Sequence, residues 1–132
     1  MAIFRTCKAA VGHMQPGAAI INTASEQAYK PSPSLLAYAA TKAAIVNFSK
    51  NLGQLLIERG IRVNAVAPGP VWMPLIPATM PIEQVKSFGQ QAPIGRAAQP
   101  VELAPTYVFL ASQESSYIAG ETIAVTGGKP LA

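Results

Sequence analysis

The chain has 132 residues, a formal net charge of +4, and 12% charged against 50% hydrophobic residues, enough to bury one core but not two. All six acidic residues are glutamates, and the chain has one histidine and one cysteine. That excludes a Ser-His-Asp triad, an EF-hand, a His-rich metal site and an internal disulfide, so no metal is expected and a reducing cytoplasm fits.

The basic residues are scattered and not interleaved with aromatics, which argues against a nucleic-acid surface. No apolar run approaches the roughly 18 residues of a membrane span. Met1 to Lys8 carries Arg5 and Lys8 without a long apolar core or cleavage site, unlike a signal peptide.

Met1 to Met14 reads as a helix, with Ile3, Phe4, Cys7, Ala10 and Val11 at three- and four-residue spacing. Gln15-Pro16-Gly17 stops it, and His13 is expected only as a residue near its end. Ala18 to Thr23 is an apolar run, as in a strand covered on both faces. A loop follows to Ser34, and either Ser34, or Ser32 with Pro33 at the first helical position, is placed to cap the next helix.

That helix is expected to reach Arg59 and end at Gly60. On a helical wheel Ala44, Ile45, Val46, Phe48, Leu52 and Leu55 fill an arc of roughly 200°, against about 100° for a helix facing one core. An arc so wide should either cover a sheet on one flank and another helix, from a second copy of the chain, on the other, or mark deep burial alone.

Ile61 to Ala67 is a second strand, ended by Pro68-Gly69-Pro70. Val71 to Pro81 is rich in proline yet apolar, with Trp72, Met73, Leu75 and Ile76, which suits a lid over a pocket better than a linker. A short helix from Ile82, a turn at Pro93 to Arg96, a helix from Gln99 to Ala111 and a strand from Glu121 to Thr126 complete the chain. Helices alternating with strands predict an α/β fold with a doubly covered parallel sheet.

Tyr38 and Lys42 stand at i and i+4, one above the other on a single helix face. An ammonium beside a phenol favours the phenolate, which makes a workable general acid or base near neutral pH. Upstream stands Ser25, just past the first strand. Pro68-Gly69 follows the second strand. Ligands of open parallel sheets bind outside the carboxyl ends of the strands, so a hydroxyl, a phenol, an ammonium and a glycine should converge on one mouth.

With INTAS at 21–25, YAATK at 38–42, IRVNAVAPGPV at 61–71 and VFLAS…YIAGETIAVTGG at 108–128, the chain resembles the short-chain dehydrogenase/reductase family over nearly its whole length. The loops around 31–50 and 68–79 are similar to those of bacterial glucose dehydrogenase and aldehyde reductase-like members. The resemblance implies one incomplete domain over 1–132, the C-terminal portion of a doubly wound Rossmann-type fold, with the family's N-terminal half and its glycine-rich pyrophosphate turn absent.

It further implies an oxidoreductase that moves hydride between NAD or NADP and a small carbonyl or alcohol substrate. Tyr38 would be the general acid/base, and Ser25 would hydrogen-bond the reacting oxygen. Lys42 would assist Tyr38 and hold the nicotinamide ribose. Pro68, Gly69 and Val71 would line the nicotinamide, and Trp72, Met73, Leu75 and Ile76 would form the substrate loop. Met73 stands near a position where the family often has a cofactor-binding threonine, and it cannot donate a hydrogen bond. Gly127-Gly128-Lys129 follows the last strand with no helix after it, so it is neither the pyrophosphate turn nor a P-loop. The alternative expectation is a non-catalytic remnant that assembles through the 34–59 helix.

Overall fold

The structure, a computed structural model, describes residues 2–131. In chain order it contains α1 (Ala2–Val11), β1 (Ala19–Thr23), α2 (Leu36–Leu56), β2 (Arg62–Pro68), α3 (Leu75–Thr79), α4 (Ile82–Lys86), α5 (Pro100–Ala111) and β3 (Thr122–Val125). The three strands form a parallel sheet in the order β1-β2-β3, with Thr23 opposite Val66 and Pro68 opposite Val125. The expected α/β class and parallel sheet are thus present. Met1, which opens the expected first helix, lies outside the described residues.

β2 runs through the centre, and every residue from Arg62 to Ala67 is buried. Its side chains alternate between faces as strand geometry requires. Val63 packs with Leu56 and Leu52 of α2, and Ala65 with Val46. Arg62 turns to the other face, where its guanidinium donates to Leu110 O at 3.0 Å, Ser115 Oγ at 2.8 Å and Ser112 O at 2.9 Å. The last carbonyls of α5, which have no intrahelical donor, receive a buried cation there. The near-continuous apolar run of β2 follows from this cover on both faces, whereas β1, expected to be covered likewise, is mostly half-buried with Thr23 exposed.

α2 gives way at Ile57–Arg59 to a 3-10 turn that closes at Gly60 with φ 70°, as its glycine led one to expect. Its start differs from expectation. Ser32 begins a 3-10 turn at Pro33–Leu35, makes no side-chain capping bond, and shares a 2.9 Å hydrogen bond with Ser34 Oγ. Leu35 stands at the α2 N-cap, so neither serine caps the helix. The two hydroxyls satisfy each other and so are diverted from the backbone. The segment after β2 also departs from an uninterrupted loop: Leu75–Thr79 closes into α3 and buries Ile76.

The wide apolar arc of α2 is only partly covered. Of its residues Val46 is buried, Ile45, Phe48 and Leu52 are half-buried and Leu55 is 73% exposed; at the start of the helix Leu36 is 78% exposed. Cys7 is buried, and burial pushes its thiol above the usual value. His13 lies exposed beyond the end of α1.

Candidate active site

Ser25 is held by the turn it starts. Its extended backbone (φ −168°, ψ 157°) places it at the N-cap of the 3-10 turn Glu26–Ala28, where its Oγ accepts from Gln27 N at 3.2 Å. The side chain is buried. A hydroxyl that accepts from the backbone keeps its own proton for donation, so the cap leaves Ser25 able to donate to an oxygen at the mouth.

Helix α2 delivers the other two groups. Lys42 Nζ donates to Thr23 O, the last residue of β1, at 3.1 Å and lies 5.5 Å from the centroid of the Tyr38 ring. The i, i+4 spacing sets the ammonium against the face of the Tyr38 ring, at the carboxyl end of β1. Tyr38 is 45% exposed, open to a ligand. An ammonium has three donors; the Thr23 carbonyl takes one and leaves two for a hydroxylated ligand.

Pro68 ends β2 and Gly69 follows it, near this point, since Ala24 N donates to Val66 O at 2.8 Å. Gly69 is constrained from within: a Cβ there would come within 3.0 Å of Thr126 Cα and 3.1 Å of Thr126 O. The close approach is therefore to the end of β3. Val71 bridges Ala98, and Trp72 N donates to Ala98 O at 2.8 Å. In the expected substrate loop, Trp72 tilts against Phe88 with ring centroids 6.2 Å apart, Met73 and Leu75 are exposed, and Ile76 points into the protein.

Two cavities lie elsewhere. One of about 210 Å³ is lined by Pro70, Ile94, Arg96, Glu102 and Val125 among others, and one of about 300 Å³ lies between α1 and β1. Neither is lined by Ser25, Tyr38 or Lys42. The candidate groups stand at an open edge. At the first cavity, bidentate hydrogen bonds from Arg96 and one from Gln99 N hold the Glu102 carboxyl down to about 2.

Several groups at the edge escaped the sequence reading. The Thr23 carbonyl is a backbone atom with no sequence signature. Thr23 Oγ1 also pairs with Tyr107 OH of α5 at 2.9 Å. Glu26, next to Ser25, pairs with Lys129 at 3.3 Å and leaves Oε2 buried without a partner. Asn22 was visible only as part of INTAS. Ser49, a lone hydroxyl within the apolar arc of α2, was a signal left unused. Gly127 and Gly128 have φ of 65° and 97°, and no helix follows them among the described residues. Among those residues no three His, Cys or Glu side chains group to hold a metal, and no helix is long and apolar enough to cross a membrane.

Known proteins match this chain over most of its length. A family model described as Enoyl-(Acyl carrier protein) reductase matches residues 1–129. The glucose and ribitol dehydrogenase of Daucus carota is 53% identical over 127 residues, which are 96% of this chain and 44% of that protein. A solved short-chain dehydrogenase/reductase structure, glucose/ribitol dehydrogenase from Brucella melitensis, superimposes with a TM-score of 0.85 at 32% identity, covering 96% of this chain and 51% of that one. A 3-oxoacyl-[acyl-carrier protein] reductase with bound NAD, from the same organism, superimposes with a TM-score of 0.72 at 39% identity over 83% of this chain and 40% of that one. The chain thus spans about half the length of the proteins it matches. On sequence and fold together, the chain belongs to the short-chain dehydrogenase/reductase family.

Proposed function

We propose that this polypeptide carries the proton-transfer side of an NAD(P)-linked reduction of a carbonyl, or oxidation of an alcohol, with Tyr38 as general acid/base. The observation that carries the reading is the seat of Lys42: its Nζ rests on the Thr23 carbonyl beside the Tyr38 ring, at the strand end where Ser25 is buried with its proton free to donate.

The two unused Lys42 donors fit the diol of a nicotinamide ribose. When bound, the nicotinamide supplies or accepts the hydride. Tyr38 gives its phenolic proton to the substrate oxygen during reduction and takes it back during oxidation. Ser25 donates a second hydrogen bond to that oxygen and holds it in line. Lys42 stabilises the phenolate that Tyr38 becomes. Pro68, Gly69 and Val71 would form the wall beside the nicotinamide, and Trp72, Met73 and Leu75 would border the substrate. The pyrophosphate cradle is not among the described residues. A small polyol or sugar is the substrate class that the name of the glucose and ribitol dehydrogenase of Daucus carota suggests for this reading.

A second reading, an assembly module acting through α2, is favoured by the exposure of Leu36 and Leu55. Titration of the purified chain with NADH and NADPH, followed by cofactor fluorescence, separates the two. Saturable binding weakened by Lys42→Met supports the catalytic reading. Absence of binding to either cofactor supports the module.

A further inference from the structure

Helix α2 must meet the end of β1 at one rotation for Lys42 to reach the Thr23 carbonyl. Apolar packing at this level is non-directional. The buried contacts are Ala24, Val46 and Ala65, with Ala28, Tyr29 and Ile45 packed half-buried against them. Below them lies a directional contact. Asn22 Nδ2 of β1 donates to Ser49 Oγ of α2 at 2.9 Å, and Ser49 Oγ donates to Ile45 O at 2.8 Å. Asn22 is 7% and Ser49 1% exposed.

The hydroxyl has a single proton, already given to Ile45, so Ser49 can meet Asn22 only as an acceptor. Ser49 lies about two turns along α2 from Lys42, roughly 10 Å, and within about 20° of the same face. Asn22 directly precedes Thr23. Two rungs therefore link strand and helix: a buried one from Asn22 to Ser49, and an outer one from Lys42 Nζ to Thr23 O at 3.1 Å.

We infer that Asn22 and Ser49 are a positioning pair, whose buried hydrogen bond sets the rotation of α2 on β1 and so seats Lys42 on the Thr23 carbonyl beside Tyr38. The functional meaning of that seat rests on the acid/base reading given above. The pair touches neither substrate nor cofactor and acts through Lys42.

The test reads the carbonyl-carbon NMR resonance of Thr23 in the isotopically labelled chain, because a cation on the oxygen displaces it. Lys42→Met gives the position of the released carbonyl. Ser49→Ala alone strands a buried amide, whereas Asn22→Leu/Ser49→Ala replaces both partners with apolar groups and leaves no orphan. In the double variant the Thr23 resonance should move by more than half of the Lys42→Met displacement while the melting temperature stays near wild type. Ser49→Thr, which keeps the hydroxyl, should leave the resonance in place.

Ser49→Cys, similar in volume but a poor acceptor, gives the same reading where the double variant does not fold. A Thr23 resonance that stays at its wild-type position in the double variant, or in Ser49→Cys, overturns the proposal and leaves the pair as packing alone. The readout needs neither cofactor nor turnover. Failure to bind NADH or NADPH would therefore count against the proposed chemistry without touching this result.

Discussion

Ser25, Lys42 and Arg62 show three ways in which this chain commits a polar side chain. Ser25 spends its acceptor on a backbone cap and keeps its donor. Lys42 spends one donor on Thr23 O and keeps two. Arg62 is buried in structural bonds to Leu110, Ser112 and Ser115. Arg62→Met should therefore destabilise the fold by about 2–3 kcal/mol, since it leaves buried acceptors without a charged donor. Urea unfolding would measure this, and a midpoint equal to wild type would contradict it. At this scale the sequence was most informative where one helix carries the chemistry, as with Tyr38 and Lys42 at i and i+4. It was silent on Thr23 O and on the bond between Asn22 and Ser49, whose partners lie on different elements and leave no local period.

Among the elements, α2 is the one on which placement depends. Its lower half lies so close to the sheet that a Cβ on Gly53 would meet Gly120 Cα and N at 3.0 Å and Val63 O at 3.1 Å. These are backbone atoms that cannot step aside. Gly53→Ala should cost about 1–3 kcal/mol through overpacking despite the better helix propensity of alanine, and thermal unfolding would show it as a lower midpoint.

The start of α5 gives a pH prediction. The Glu102 carboxyl is lowered from 4.5 to about 2 in the fold, chiefly by its hydrogen bond to Arg96. A folded value below the unfolded one stabilises the protein above the unfolded value, and that stabilisation is lost as pH falls toward 2. Glu102→Gln should flatten that part of the acid unfolding curve, and an unchanged acid limb would count against it. β2 was legible because burial on two faces writes a continuous apolar run, and the long helices through their three- and four-residue apolar spacing. The α2 cap and α3 were not, because Ser32 and Ser34 bond each other and Ile76 turns the proline-rich segment inward.

On the scale of the whole molecule, α2 leaves Leu36 and Leu55 outside its own core. The proposed self-association through this helix predicts a concentration-dependent sedimentation coefficient that Leu55→Glu lowers toward the monomer value. A monomer at every concentration would contradict it. The Tyr38 edge is open and belongs to neither cavity. This chain spans 44% of its carrot relative, so turnover is best measured in a protein completed with the segment of that relative outside the match. In that protein, NADH- and NADPH-linked carbonyl reduction should be compared for wild type and Tyr38→Phe, with cofactor affinity measured by fluorescence on the same samples. The account predicts that Tyr38→Phe lowers turnover by about 10²–10⁴-fold while cofactor affinity stays nearly unchanged. Turnover that survives the substitution, or affinity and turnover that fall together, would contradict it.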